Sequence, residues 1–528
     1  MTKKTLLPLI IAALALAGTG LGQDAPGRTL SISLEECIVK ALKDNLGVAI
    51  QVLGPQISAE NVNQAQEKYI PSLSLSLQSR KQENAAYSYL DTPGGSSINR
   101  TQNYNFMTAN QTLPTGGTMR LDFTGYRTTT NQRGRTIDPR FGTTLSFNLS
   151  QPLLRNFGFK VAQREIRVAA NNLGVSEESL KRTLQETVYS VESAYWNLVY
   201  SIENLEVRRQ SLALAKDLLE KNQRSVEVGT LAPMEVLSAR AEVATREADL
   251  IQAETAIMSN EDALRLLLNI SEEESRNIAA ILPKDKPTYV AREVDLEEAL
   301  AAAVQNRPDL EISRIGLETE RINLSYAKNQ VLPELNLSAS YSSPGIDGTR
   351  LIYDLPNPLD PEAQIIDTIP GGISGALKQS FKFTYPNWNL GLTLSLPLSN
   401  VFGRASLAQA RLNMRQALLE IENQKEQVYV EIKNAVRAVE ANYKRILAFT
   451  TARQLAEQKL AAEEEKRRVG MSTNYMVLSY QRDLTNARIS ELNAIISYNV
   501  SLAALERSMG TNLKSKNINL GDFAPGLD

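Results

Sequence analysis

The chain has 528 residues, with 57 Lys and Arg against 59 Asp and Glu, no histidine and one cysteine. Interspersed, near-neutral charge excludes the basic footprint of a nucleic-acid binder, and a lone Cys37 excludes an internal disulfide framework. Without histidine the commonest general base and the commonest metal ligand are missing, so composition argues against catalysis before any motif is sought.

Residues 1–22 read as an export signal: Lys3-Lys4, then an apolar run from Leu6 to Ala17, then small residues from Gly18 to Gly22. That run is shorter than the roughly 20 residues a helical span needs, and no later segment is apolar for long enough. If the mature chain lies in a membrane, it must cross as strands closed into a barrel. A short amphipathic helix is expected from Leu34 to about Asp44, with Cys37 as a small buried residue. A second helix runs to about Tyr69, where Pro71 stops it.

Strict alternation follows. Leu73, Leu75 and Leu77 share one face and Ser72, Ser74 and Ser76 the other; Leu145, Phe147 and Leu149 oppose Thr144, Ser146, Asn148 and Ser150 in the same way. Strands are expected over about 72–152, apolar outside and small-polar inside, as a lipid-facing strand over a wet lumen requires. Tyr87, Tyr89, Tyr104, Phe106, Phe123 and Tyr126 cluster there, suiting a bilayer interface or ordinary strand propensity. Asp91 to Ser97 has loop composition. Strand-like stretches at Tyr104–Leu113 and Met119–Thr129 either extend the barrel strands or form an extra hairpin. A long helix (160–228) with apolar residues at three–four spacing then turns at Val228-Gly229-Thr230 into a return helix, 231–269.

The chain then repeats itself. Residues 23–280 form one copy and 294–510 another, joined by a linker at 281–293. Pro71-Ser72-Leu73 recurs as Pro333-Glu334-Leu335, and Leu34-Glu35-Glu36 as Leu296-Glu297-Glu298; both are offset by 262. Strands are expected over about 334–398 (with Leu335, Leu337, Leu390, Leu392 and Leu394 on one face) and a loop insertion from Ser342 to Lys378. Tyr341, Phe381, Phe383, Tyr385 and Trp388 are the second copy's aromatic residues. A long helix (404–469), a turn at Val469-Gly470-Met471 and a return helix (472–509) follow, then an irregular tail, 511–528. At 1.5 Å per residue the long helices are rods of about 100 Å. In each copy the two shorter helices sum to nearly the length of the long one, as a wall of antiparallel rods requires.

Leu296-Glu297-Glu298-Ala299-Leu300 with Asn306-Arg307-Pro308-Asp309-Leu310, Leu332-Pro333-Glu334-Leu335-Asn336-Leu337, Gln151-Pro152-Leu153 and Val228-Gly229-Thr230 together resemble the TolC family of outer-membrane efflux proteins. The resemblance covers essentially the whole mature chain. It implies a mainly α fold with a membrane β-barrel part: a homotrimer closing a 12-stranded β-barrel, continued by a 12-helix α-barrel into the periplasm of a Gram-negative-type bacterium. It implies no enzyme activity and no cofactor. The partners implied are outer-membrane lipid, a periplasmic adaptor and an inner-membrane transporter, for export of small molecules or polypeptides. Val228, Gly229, Thr230, Val469, Gly470 and Met471 match the periplasmic tip that docks the adaptor; as plain chemistry, the glycines are helix-capping residues. Glu235 falls where the family has a tip acid, and Arg467 is its candidate partner, although two solvated helix charges are the simpler reading. Where some members carry an acidic gate, this chain has Met476 and Ser479.

The alternative is a non-porous periplasmic coiled-coil adaptor or structural protein, which the alternating strands disfavour. An exported hydrolase is disfavoured too, since no convergent acid, base and nucleophile appear. The sequence has no metal-ligand spacing and no phosphate-cradling glycine loop.

Overall fold

The computed structural model describes residues 28–86, 91, 96–271, 278–360, 362–519 and 521. The expected export signal, Tyr87, Tyr89, loop residues 92–95 and the end of the tail lie outside the described residues. In chain order the first copy holds β1 (Arg28–Ile32), α1 (Leu34–Asp44), α2 (Leu46–Glu67), β2 (Ser72–Ala85), β3 (Ser96–Thr112), β4 (Thr118–Thr130), β5 (Ile137–Pro152), α3 (Phe159–Ala162), α4 (Arg164–Glu227) and α5 (Pro233–Leu267). The rest holds β6 (Ile278–Pro283), α6 (Leu296–Asn306), α7 (Pro308–Gln330), β7 (Glu334–Tyr353), β8 (Ile365–Ile369), α8 (Ile373–Phe381), β9 (Asn387–Ser395), α9 (Val401–Arg468), α10 (Asn474–Met509) and α11 (Asn512–Ser515). Among the described residues no helix is long and apolar enough to cross a membrane.

Two compact units emerge. The helical unit comprises residues up to Leu46, Thr187–Glu293 and Ala438–Ala504. In it the N-terminus of α1 is a capping box: the Glu36 N–H donates to the Ser33 hydroxyl and the Ser33 N–H to the Glu36 carboxylate. Cys37 is fully buried there, and burial pushes its thiol up to about 12, leaving an inert packing residue. The expected linker is in part a strand: β6 pairs in parallel with β1. Two buried tyrosines tie the chain after β6 to the helices. Tyr195 donates to Asp285 Oδ2 at 2.6 Å, and Tyr498 donates to the Val290 carbonyl at 2.9 Å.

The sheet-bearing unit holds Gly47–Glu186, Val294–Arg437 and the chain from Leu505. Its helices carry one small-residue contact of note: a Cβ on Gly174 of α4 would meet the Ile315 side chain of α7 at 3.3 Å. The sheet is antiparallel in the order β2-β3-β4-β5-β7, with β9 and β8 pairing with successive parts of β7's far edge. Expected strands β2 and β5 are therefore not neighbours. The stretches of undecided role form a full-length hairpin between them, which makes seven strands in the sheet rather than the four per chain expected. Both inserted strands hydrogen-bond along their lengths to their neighbours in the sheet.

Register explains why the insertion is tolerated. One row crosses the sheet as Leu73, Ala109, Leu121, Phe147, Tyr341 and Trp388; the next crosses as Ser74, Thr108, Asp122, Ser146, Ser342 and Asn387. Since alternate residues point to opposite faces, this part of the sheet has one apolar and one polar face, while further along the row Arg127, Phe141 and Asp347 sets charges on the otherwise apolar side. The apolar face is bare at its margins, Leu75 being 71% and Leu390 65% exposed. On the polar face Asp122 accepts from the Thr108 hydroxyl at 2.7 Å and pairs with Arg120 at 2.8 Å.

The expected 342–378 loop is also largely structured, since β7 runs on to Tyr353 and β8 and α8 follow. Helix α8 lies on the apolar face. Its Ser380 shares a 2.7 Å hydrogen bond with Thr143, and a Cβ at Gly345 would sit 2.1 Å from the Ala376 carbonyl oxygen. The expected aromatic residues meet here: Phe106 to Phe123 at 5.0 Å, Phe123 to Phe381 at 5.3 Å, Tyr341 to Phe383 at 5.9 Å. The expected 160–228 helix is interrupted at Gln163, and the expected 404–469 helix is α9. The irregular tail begins with α11, whose Asn512 is buried and donates to the Gln185 carbonyl at 2.8 Å.

Candidate functional site at the hairpin tips

Helix α4 turns into α5 through residues 228–232, and α9 into α10 through 469–473. Both turns sit in the helical unit and use one device. Gly229 has φ +76° and Gly470 φ +79°, a region that costs an L side chain about 1–2 kcal/mol. The Gly229 N–H donates to the Val226 carbonyl at 3.0 Å and the Thr230 N–H to Ser225 at 2.8 Å. Gly470 and Met471 repeat the pair onto Arg467 and Lys466 at 3.0 and 2.8 Å. These bonds satisfy carbonyls that the helix ends leave orphaned. A Cβ on either glycine would meet nothing within 4 Å, so conformation rather than space demands glycine. The return helices start on conventional signals: Pro233 in the first turn of α5, and Thr473, whose hydroxyl accepts the Met476 N–H at 3.4 Å.

Several exposed side chains of these tips are apolar, among the exposed Glu227, Lys466 and Arg468. Val228, Val469 and Met471 project into solvent, as do Met234, Leu237 and Tyr475 beside them. Thr230 instead turns back, its hydroxyl donating to the Ser225 carbonyl at 2.9 Å.

Glu235 and Arg467 do come together, but through a third residue. The Arg467 guanidinium donates to Asn474 Oδ1 at 2.9 Å, and Asn474 Nδ2 donates to Glu235 Oε2 at 3.3 Å. Asn474 is buried, so its amide cannot trade these bonds freely for water. A second latch closes the α9–α10 turn on itself, where Glu463 accepts from the Ser472 hydroxyl and pairs with Lys466 at 3.2 Å. The Ser472 hydroxyl, then Lys466, holds the Glu463 carboxyl below the ordinary glutamate range. Met476 and Ser479 lie half-buried on α10 and supply no carboxylate.

Between the two hairpins is an open cavity of about 890 Å³, lined by Thr230, Glu235, Arg467, Asn474, Asn222 and Gln481 among others. Leu218 and Val477 in its lining belong to an apolar cluster that Leu460, Leu478 and Leu484 complete. A buried arginine braces the helices further along. Arg246 donates to both the Ser211 carbonyl and hydroxyl, at 2.7 and 2.9 Å, and Thr485 donates to the same hydroxyl at 3.0 Å. The tips are thus two capped hairpins joined by an apolar cluster and by polar bonds such as Asn474 to Glu235 and Thr485 to Ser211. Sequence reasoning missed Asn474 and Glu463. Ser472-Thr473-Asn474 is legible as a helix start, but its partners lie on other segments.

The family model described as "Outer membrane efflux protein" matches residues 120–269 and 299–511. Outer membrane efflux protein BepC of Brucella suis biovar 1 is 24% identical over 508 residues, covering 95% of this chain and 90% of the relative. Outer membrane protein TolC of Vibrio cholerae serotype O1 is 24% identical over 380 residues, covering 71% and 78%. Among solved structures, the Campylobacter jejuni CmeC outer membrane channel superposes with a TM-score of 0.63 at 15% identity, over 98% of this chain and 99% of that one. The outer membrane protein VceC of Vibrio cholerae gives 0.62 at 18% identity, over 90% and 96%.

Proposed function

Because the chain belongs to the outer membrane efflux protein family, we propose that it is the outer-membrane channel of a tripartite export system, a passive conduit that works as a homotrimer. The observation that carries this reading is the sheet. Its apolar face is continuous across the strands from β2 to β9, and its two outer edges, on β2 and β9, pair with no strand among the described residues. Unpaired backbone N–H and C=O groups cannot face lipid, so such a sheet must close with other copies into a barrel. Apolar outside and polar inside, that barrel suits a membrane pore. An apolar face left bare at the margins of a sheet this wide counts against the periplasmic coiled-coil alternative.

The tips are the proposed periplasmic end. Their exposed apolar side chains, from Val228, Val469, Met471 and Tyr475, suit docking by a periplasmic adaptor. The Glu235–Asn474–Arg467 chain is the proposed closure: one hydrogen bond, from Asn474 to Glu235, binds one hairpin to the other, and Arg467 holds Asn474 from within its own hairpin. Adaptor docking that pulls the hairpins apart would break that bond and open the apolar cluster of Leu218 with Leu460 and Val477. Cargo passes from an inner-membrane transporter through this entrance to the outside, and the residues named here act by position rather than by chemistry.

The test is the protein-only mass of the chain extracted with detergent from a separated outer-membrane fraction. Three copies per particle are expected. A monomer or dimer that washes off without detergent would refute the conduit.

A further inference from the structure

We infer that the trimer closes an 18-stranded barrel, each chain supplying six strands, whose bore matches the helical wall instead of narrowing above it. This rests on the trimeric reading above and goes beyond it. The six strands are β2, β3, β4, β5, β7 and β9; β8 pairs only with the far end of β7, at Arg350–Tyr353, above the stretch that β9 occupies.

Several observations put the β3–β4 hairpin inside the barrel wall. Its pattern matches that of the strands beside it: Ala109 and Leu121 fall in the apolar row, Thr108 and Asp122 in the polar row. Both charges in that part of β4, Arg120 and Asp122, lie on the polar face and pair with each other. A hairpin folded out as an external lobe would have no reason to hold this register.

The hairpin's turn is also built into the junction between sheet and helices. Gly116, at φ +94°, lies so close to the chain that a Cβ would sit 2.2 Å from the Asn156 carbonyl oxygen. The Thr115 carbonyl accepts the Gly158 N–H at 3.0 Å, its hydroxyl donates to Gln151 Oε1 at 2.8 Å, and Gln111 donates to the Tyr69 carbonyl at 2.6 Å. The turn is thus bonded to the end of β5 and to the chain leading into the helices, while the end of β3 beside it is bonded to the chain entering β2.

Directions and widths agree. Beginning at β2 the six strands alternate up and down, so the β9 edge of one chain meets the β2 edge of the next antiparallel. Strands about 4.8 Å apart and tilted by about 40° each take about 6.3 Å of circumference. Six span about 38 Å, whereas four would span about 25 Å. The same unit contains four helical rods (α2, the start of α4, α7 and the start of α9), and four helices packed about 8–10 Å apart span about 32–40 Å. Six strands fit four helices; four strands would leave the barrel the narrower part. The backbone diameter becomes about 36 Å rather than about 24 Å, so the barrel does not select cargo by size and that task falls to the tips.

The experiment is electron cryo-microscopy of the full-length trimer in lipid nanodiscs, counting strands in cross-section. In a Cys37→Ala background, cysteine pairs at Gln82/Asn99 and Thr124/Thr144, which face each other on β2–β3 and β4–β5, are oxidised in outer membranes. Eighteen strands, with both disulfides formed in the inserted trimer, are expected. A trimer with 12 strands and neither disulfide would overturn the inference while leaving the channel reading intact. A particle that is not a trimer would overturn the channel reading itself.

Discussion

The corner between α6 and α7 supports a quantitative prediction. Arg307 ends one helix, begins the next, and has a side chain only 13% exposed. It grips Asp309 with two bonds of 2.9 and 2.6 Å, reaches Glu431 on α9 at 2.7 Å, and donates to the Ser508 carbonyl on α10 at 2.9 Å. Burial would raise the Asp309 carboxyl, but the Arg307 bonds, with the Leu310 N–H and Gln424, hold it below the ordinary aspartate range. In Arg307→Ala the carboxylate keeps only those last two donors, and a buried charge loses its counter-ion. Breaking a buried pair costs about 3–5 kcal/mol. With Glu431 about one-third exposed and screened by water, we take the lower end, about 3 kcal/mol. The loss should appear as local opening, read by amide hydrogen exchange in the first turn of α7 and over residues 508–512. Every 1.4 kcal/mol is tenfold, so exchange there should quicken by about 100-fold. Adding Asp309→Asn should recover part of the loss, because the orphaned charge goes with it. A change below about fivefold in Arg307→Ala, with the assembly intact, would refute the reasoning.

Four further outcomes are expected. Replacing both Gly229 and Gly470 with valine puts β-branched side chains at positive φ, costing about 1–2 kcal/mol at each tip; export should fall while the protein still assembles in the membrane, and normal export would exclude a tip role. Asn474→Ala removes the link between Glu235 and Arg467, so ion leak through purified channels in planar bilayers should rise; an unchanged leak would show that the link closes nothing. Glu463 has a lowered folded-state pKa, so its contribution is present above the unfolded value of about 4.3 and is lost as pH falls through the folded value. Protease nicking at residues 469–473 should therefore stay flat from pH 8 to 5 and rise only below the glutamate range, and Glu463→Gln should abolish that rise. Leu75→Arg sets a charge on the apolar face at a cost of about 2–4 kcal/mol near the bilayer centre; membrane assembly should drop sharply, and full insertion would reassign that face.

Much of this protein is written in its local patterns. Leu73, Leu75 and Leu77 alternating with serines can only be a two-faced strand, and the unbroken three–four spacing beyond Arg404 can only be a long helix. The glycines at 229 and 470 mark the tips because a helix end needs positive φ there, a requirement felt within a few residues. The repeat is legible for the same reason: each copy carries its own stop, turn and capping signals.

Only the tertiary structure decided what depends on partners far apart in the chain. β1 and β6 are short, and pair only because the fold brings Ile32 opposite Pro283. Segment 104–129 has strand character in either of its possible roles; pairing with β2 on one side and β5 on the other makes it a hairpin of the sheet. Helix α8, composed like a loop, is held by Thr143 and by the bare face of Gly345. Asn474 joins Glu235 to Arg467 from a position that local sequence marks only as a helix start. Alternation and capping are short-range chemistry and survive in the sequence, whereas strand order and hydrogen-bond partnership are set by which distant segments share a surface.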